Sequence, residues 1–391
     1  MKNTDRRKKF TLQFWLLCLS SFLFFSSFNM IIPELPNYLT SLGGGDYKGL
    51  IISIFTLTAG LSRPFSGKLT DTIGRIPVMI FGSVICFLAG ILYPILTSIA
   101  GFFFLRFFHG LSTGFKPTGT AAYVADIVSA HHRGEAMGVL SVFLSLGMAA
   151  GPVAGSYIAK IYSLDIMFYL SGVIGLLSVA ILIGMKETVP NKEPFRLGLL
   201  KISRADVYEP RVLSPSIVMM LNAFSFGMIL TIIPDFSEYL GINNKGLFFA
   251  YFTLASLLIR LLAGKVSDKY GRVIVLKVAT IGLALSMFLI AGAETPFGLS
   301  IAAVVFGIAV GMSSPTIFAW AIDLSLDKFR GRAMSTLYIF LEIGIGLGAL
   351  YSGFLYNNDP EMFFFTFATG TVLCLLSFFY LVFIMRTQRG F

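Results

Sequence analysis

Polar side chains recur on one face of an apolar stretch near residue 110. Arg106, His109, Thr113 and Lys116 follow one another at intervals of three or four residues. At 100° per residue they fall, with Thr120, within an arc of about 80° on a helix. If the stretch crosses a membrane, each charge costs roughly 2.5–3.5 kcal/mol, so this face should border protein or water. Two interpretations remain: a hydrogen-bond network between helices or, as we favour, the wall of a central cavity.

Two side chains, His109 and Glu342, could also carry protons. An imidazole titrates near neutral pH, so His109 is either a proton relay or an ordinary buried histidine. Glu342 lies about ten residues into another apolar stretch, 333–356, and is the only acidic residue expected near the membrane midplane. Such a carboxyl could gain and lose a proton as its access changes. The alternative is a static ion pair with Arg106 or Lys116.

The elements that must position these residues are membrane helices. Of the 391 residues, 56% are hydrophobic and 13% charged, whereas soluble domains carry about 25% charge. Runs of about 20 apolar residues predict transmembrane helices, and the short alternation of a membrane β-barrel is absent. We predict an all-α membrane protein with twelve spans, at residues 10–39, 49–69, 76–97, 100–126, 135–160, 166–186, 213–240, 247–267, 273–293, 297–322, 333–356 and 362–385.

The distribution of Lys and Arg predicts the orientation. With the N-terminus inside, the cytoplasmic segments hold 23 of them and the outer loops three, Lys48, Lys160 and Lys245. Both termini are therefore expected in the cytoplasm, in a bacterial inner membrane. The net charge of +10 comes in short clusters between apolar runs, so it does not indicate nucleic-acid binding. The polar segment 187–212 is a cytoplasmic linker, either a short surface helix or unstructured.

Some further polar residues are weaker candidates for a substrate or proton site. Asn29 and Asn222 lie within the first and seventh spans. Glu34 and Asp235 follow prolines near the outer ends of the same spans, where an outer gate and a solvated helix end are both reasonable. The two remaining charges within spans, Arg63 and Arg260, lie near the inner edge, where they are expected to reach lipid phosphates.

The chain is a tandem repeat. GKLTDTIGR at 67–75 returns as GKVSDKYGR at 264–272, and the same offset of 197 residues relates Arg63 to Arg260 and Asp126 to Asp323. A register kept over most of the chain predicts two homologous halves. We expect an N-terminal six-helix bundle at 1–186, the linker at 187–212 and a C-terminal six-helix bundle at 213–391.

The repeated string resembles the signature loop between helices 2 and 3 of the major facilitator superfamily. Twelve spans, a six-plus-six repeat and a central linker extend that resemblance over the whole chain. It implies two bundles that rock about a substrate site at the midplane. It also implies that Asp71 accepts hydrogen bonds from the start of helix 11 and that Arg75 pairs with Asp126. These pairs, mirrored in the second half, would latch the cytoplasmic side shut and break when it opens.

The remaining residues of this cytoplasmic gate serve geometry and charge. Gly67 lets helices approach closely, and Gly74 permits a tight turn with positive φ. The alternative is a plain basic turn without a gating role. The full gate set is Gly67, Lys68, Asp71, Gly74, Arg75, Asp126, Gly264, Asp268, Gly271, Arg272 and Asp323.

The fifth span carries a second motif, formed by Gly138, Gly147, Gly151, Pro152 and Gly155. It resembles the motif of the drug:proton antiporter branch of the superfamily, with Ser156 in place of its usual final glycine. Glycines four residues apart let another helix pack closely, and Pro152 removes a backbone donor and bends the helix. A stripe that serves packing alone is the alternative. The second half lacks the proline, and this asymmetry favours export.

These features predict a secondary transporter and no enzyme, since the sequence contains no metal-ligand cluster, nucleophile–base set or phosphate loop. No cofactor is expected. The predicted function is proton-coupled efflux of a small amphipathic or anionic molecule by alternating access. The alternative is a proton-coupled symporter or a uniporter that imports a nutrient. The expected partners are the small-molecule substrate, protons and the lipid bilayer, with the protein acting as a monomer.

Overall fold

The described residues form twelve long helices. The structure, a computed structural model, describes residues 10–128, 133–190, 192–202, 208–325 and 330–388, and no strand occurs in these ranges. In chain order the helices are α1 Leu12–Ser41, α2 Lys48–Thr72, α3 Arg75–Leu92, α4 Ile99–Ile127, α5 Arg133–Ile161, α6 Leu164–Ile183, α7 Leu213–Tyr239, α8 Leu247–Tyr270, α9 Arg272–Ala291, α10 Pro296–Leu324, α11 Arg330–Tyr356 and α12 Phe363–Gln388.

The twelve predicted spans are confirmed, with ends that shift by a few residues. Within the described ranges, ten helices are both long and apolar enough to cross a membrane. The other two are α4, which contains Arg106 and Lys116, and α8, whose fully described apolar part is Leu247–Arg260. Both remain long enough, since 29 and 24 residues reach about 43 and 36 Å at 1.5 Å per residue.

The first helix is broken where its repeat counterpart is continuous. A 3₁₀ turn covers Ile32–Glu34, and an α-helix resumes over Leu35–Ser41. Two prolines, Pro33 and Pro36, remove two backbone donors in this segment. The matching part of α7 has Pro234 alone and stays helical. The sequence pattern, which predicts one uninterrupted span at 10–39, missed this break.

The repeat in the sequence appears as a repeat of packing. In the first half, α1 packs on α5 and α6, while α4 packs on α2 and α3. In the second half, α7 packs on α11 and α12, while α10 packs on α8 and α9. The halves meet along two equivalent helix pairs, α2 with α11 and α5 with α8.

The linker is fastened to the first half. The Glu187 carboxylate accepts hydrogen bonds from the backbone N–H groups of Arg75 at 3.1 Å and Ile76 at 3.0 Å. An anion is stabilised there because the N-terminus of α3 carries the positive end of the helix dipole. Between 192 and 202 the regular structure is a single 3₁₀ turn, Leu197–Leu200, shorter than the surface helix considered above.

Candidate functional site

A cavity of about 1170 Å³ lies between the halves. Its wall is formed by α2, α4 and α5 of the first half and by the equivalent α8, α10 and α11 of the second. The cavity opens beside Lys68 and Asp71 of α2 and Ile202 of the linker. We call this end the linker side and the opposite end the far side. Much of the wall is apolar, including Met137 and Phe318. An apolar pocket with a few polar groups suits a small organic molecule.

On the far side the halves touch backbone to backbone. A Cβ added at Gly49, in α2, would lie 2.9 Å from the backbone oxygen of Ala349 in α11. A Cβ added at Gly246, just before α8, would lie 2.3 Å from the carbonyl of Pro152 in α5. The two glycines are related by the 197-residue offset, so these are one contact used twice. The far side is therefore closed while the linker side is open.

Polar groups reinforce the far-side contact. Lys48 of the first half forms a buried ion pair with Asp235 of the second. Asn37 of the first half donates a hydrogen bond at 3.1 Å to Glu238, which also pairs with Lys245 at 2.6 Å. Because Asp235 is buried in a contact between the halves, a solvated helix end does not describe it. A gating role for Asp235 stays a prediction.

At the end of the cavity that is farthest from the linker-side opening, an ion pair joins the two halves. Arg63 Nη2 lies 2.7 Å from Glu342 Oε1, and the side chains are 12% and 10% exposed. The guanidinium also lies over the Tyr338 ring, 4.3 Å from its centroid. Two expectations are corrected here: Glu342 pairs with neither Arg106 nor Lys116, and Arg63 binds a carboxylate instead of reaching lipid phosphates.

The polar face of α4 lies inside the first half and does not border the cavity. Arg106 Nε donates at 2.7 Å to the backbone oxygen of Ile51, and Lys116 Nζ donates at 2.6 Å to Ser20 Oγ. His109 is buried among aromatic rings. The Thr113 hydroxyl donates a hydrogen bond to the backbone oxygen of Gly110 in the same helix. The favoured interpretation is thus wrong for this conformation, in which α4 presents Pro117, Thr118, Ala121 and Ala122 to the cavity.

Arg63 and Arg260 line the cavity, although the sequence pattern predicted that both reach lipid phosphates. A signal existed: Arg63, Gly67, Thr70 and Asp71 lie three, four, seven or eight residues apart and so share one face of α2. That face is polar although the helix is a membrane span, which indicates that it borders water or protein.

The remaining weaker candidates make local contacts. Asn29 donates to the backbone oxygen of Phe25 in its own helix at 2.7 Å. Asn222 donates at 3.1 Å to Ser313 Oγ within the second half. Glu34 is buried and accepts a hydrogen bond at 2.7 Å from Ser156 Oγ, also in its own half. None of these described contacts joins the halves.

The repeated loops carry matched ion-pair networks. Arg75 Nε lies 3.0 Å from Asp126 Oδ2, the pairing that the resemblance implies, and Arg75 also pairs with Asp71. In the second half, Arg272 Nε lies 2.9 Å from Asp323 Oδ2 and also pairs with Asp268. The left-handed turn expected at Gly74 is present, with φ 121°, and Gly271 has φ 90°.

These networks do not latch the linker side shut. Each stays within its own half, and both are formed while the cavity is open beside them. In the described contacts Asp71 bonds Arg75 instead of the start of α11. A Cβ at Gly67 would meet nothing within 4 Å, because the halves stand apart here, so close packing at Gly67 is also a wrong expectation for this state. The contacts of Gly264, within α8, lie outside the described residues.

The glycine stripe of α5 packs on α1. A Cβ at Gly147, Gly151 or Gly155 would lie 2.7, 2.6 or 2.0 Å from a backbone oxygen of that helix. A Cβ at Gly138 would meet nothing within 4 Å, and this residue lines the cavity instead. Pro152 contributes the far-side contact with Gly246, a role that sequence reasoning missed.

Two pseudo-symmetric six-helix sets around a cavity open at one end are the architecture of a secondary transporter. The family model of the Major Facilitator Superfamily matches residues 17–208 and 216–390. The chain belongs to that superfamily.

Its relatives include a multi-drug resistance efflux pump and a multidrug resistance protein. The chain is 26% identical over 352 residues to the multi-drug resistance efflux pump PmrA of Streptococcus pneumoniae, covering 84% of each protein. It is 28% identical over 361 residues to the multidrug resistance protein MdtG of Escherichia fergusonii, covering 88% of this chain and 87% of the relative. The crystal structure of a D-xylose–proton symporter matches with a TM-score of 0.76 at 16% identity over 94% of this chain and 96% of the symporter. That last likeness concerns the fold alone.

Proposed function

We propose that the protein exports a small amphipathic or anionic molecule from the cytoplasm in exchange for protons. One observation carries the proposal: a cavity open on the linker side and closed on the far side ends at the buried Arg63–Glu342 pair between the halves. The names of the relatives PmrA and MdtG, both concerned with multidrug resistance, support export. We take the linker side as cytoplasmic because Lys and Arg concentrate there.

Glu342 is the proton site in this proposal. Ionised, it balances the charge of Arg63 and ties α2 to α11. A proton on the carboxylate cancels its charge and weakens that tie, so proton binding biases the rocking of the halves. The proposed cycle alternates between a substrate-loaded form with Glu342 ionised and an empty form with Glu342 protonated. The protein acts as a monomer in a bacterial inner membrane.

A second function, import of an anionic nutrient together with a proton, is favoured by a different observation. Arg260 lines the cavity and takes part in none of the ion pairs among the described residues. An anion near Arg260 and a proton on Glu342 would each reduce the charge introduced by the other, which favours their transport together.

Transport by purified protein in proteoliposomes separates the two functions. The probes are naphthalene sulfonate and a naphthylmethyl trimethylammonium of similar size, with the membrane potential clamped and protein-free vesicles as the control. Antiport predicts that probe accumulates in a lumen more acidic than the medium. Accumulation in a more alkaline lumen indicates symport, and equilibration without accumulation indicates a uniporter, and either result contradicts the efflux proposal.

A further inference from the structure

The two cavity arginines are related by the internal repeat but have different surroundings. Arg63 has a carboxylate partner, Glu342, and an aromatic ring, Tyr338. The same offset of 197 residues places Ser145 and Ser141 of α5 at the positions equivalent to Glu342 and Tyr338. The first half therefore offers Arg260 neither an anion nor a ring at the positions where the second half supplies both to Arg63.

Among the described residues, Arg260 has one hydrogen bond, and its partner is neutral. Its Nε donates a hydrogen bond at 3.2 Å to Ser256 Oγ on its own helix, and none of the described ion pairs includes it. The side chain is half-buried and borders the cavity. A partly desolvated cation without a counter-ion is costly, and binding an anion from the cavity removes that cost.

We propose that Arg260 binds the anionic group of the transported substrate, a carboxylate, sulfonate or phosphate oxyanion. The guanidinium presents a planar set of donors that matches two oxygens of such a group. Phe318 and Tyr338, which line the same cavity, provide surfaces for an aromatic or aliphatic body. The inference rests on the proposed function in taking this cavity as the transport site, but it holds for export and for import.

The test measures binding to the purified full-length protein by isothermal titration calorimetry. Arg260→Gln should weaken binding of naphthalene sulfonate by about 10- to 100-fold, the loss typical of a hydrogen-bonded charge. Arg260→Lys keeps the charge but lacks the planar set of donors, so its affinity for the sulfonate should lie between those of wild type and Arg260→Gln. Binding of the trimethylammonium probe should stay equal or become tighter in Arg260→Gln, a result that a merely misfolded variant would not give.

A second variant restores the symmetry instead of removing the cation. Ser145→Glu places a carboxylate where the repeat puts Glu342, so it should occupy Arg260 internally and weaken sulfonate binding to a similar extent. Lys269→Gln is the control, because it removes one positive charge from an exposed position on the same helix. Its sulfonate binding should equal that of wild type.

The outcomes separate this inference from the proposed function. Sulfonate binding that is unchanged in both Arg260→Gln and Ser145→Glu overturns the inference, as does equal loss of both probes, even if wild type still exports against a pH gradient. Wild type that binds the sulfonate through Arg260 but accumulates it only in an alkaline lumen overturns export and leaves the inference standing.

Discussion

At the scale of single residues, three cations within spans, Arg106, Lys116 and Arg63, differ in what compensates their charge. Arg106 uses a backbone oxygen and the Phe55 ring, and Lys116 uses serine hydroxyls. Arg63 is held by a carboxylate. Of these partners, the carboxylate is the one that a proton can discharge. This difference supports the proposal that Glu342 couples protons to movement, while the polar side chains of α4 bond inside their own bundle.

Glu342→Gln should reduce proton-driven accumulation of substrate at least about 10-fold, while exchange of substrate without a pH gradient continues. Its apparent melting temperature should also fall, because removing one member of a buried pair costs about 3–5 kcal/mol. The double variant Arg63→Gln/Glu342→Gln should regain stability without regaining coupling, since it leaves no uncompensated charge. Transport in proteoliposomes and thermal unfolding in detergent measure the two effects. Full proton-driven accumulation by Glu342→Gln would falsify its role.

Sequence reasoning found the polar face of α4 but not the side of the helix that meets the cavity. The arc from Arg106 to Lys116 follows from helical spacing, whereas the direction in which it points depends on the rotation of α4 within its bundle. A bundle interior built from serines and a water-filled cavity both accept polar side chains, so composition does not separate them. The Arg63–Glu342 pair joins residues 279 positions apart and was not predicted for the same reason.

At the scale of helices, the sequence predicted more. Twelve spans followed from hydrophobic length, and the repeat predicted which helices would be equivalent, because both signals are local or exact in register. The break in α1 does not follow from hydrophobic length, because it depends on a second proline, Pro36, that the continuous counterpart in α7 lacks. Glycines spaced four residues apart predicted that another helix approaches α5 closely, but they did not identify that helix as α1.

Two glycines of α5 test that approach against each other. Gly155→Ala should lower the apparent melting temperature, because its Cβ would lie 2.0 Å from the Met30 backbone oxygen and force α1 away; overpacking of this kind costs about 1–3 kcal/mol. Gly138→Ala has open space and should be neutral or stabilising by up to about 1 kcal/mol, since alanine favours the helix. Thermal unfolding in detergent compares them, and equal shifts would contradict tight packing at Gly155.

At the scale of the whole molecule, closure of the far side combines charge with backbone contact. Lys48→Ala leaves Asp235 without its ion-pair partner between the halves, which should favour the state with the far side open. The swap Lys48→Asp/Asp235→Lys keeps the pair and should return the population towards wild type. Labelling of a cysteine at Ser53, on α2 beside α11, by an impermeant maleimide added from the far side reports this opening. Equal labelling of the single variant and the swap would show that the pair does not set the equilibrium.

The backbone contacts lead to the strongest prediction at this scale. Gly246→Val cannot fit against Pro152, so the far side should stay open and, because the halves move as units, the linker side should close. A cysteine at Ser335, in the cavity, should then be labelled more slowly from the linker side. The labelling rate should fall tenfold for each ~1.4 kcal/mol by which the linker-open state is destabilised. The native Cys18, Cys86 and Cys374 are buried, so background labelling is low.

Gly198→Val is the matched control for that variant, because the linker leaves open space around Gly198. Labelling at Ser335→Cys should then equal that of the parent. Gly49→Val, the repeat equivalent of Gly246→Val, should act in the same direction, because its side chain would meet the backbone of α11. If both valines left linker-side labelling unchanged, the two ends of the cavity would open independently, and rocking of rigid halves would not describe this protein. Slower labelling in both valine variants, with the control unchanged, ties closure of one end to opening of the other through two symmetric backbone contacts.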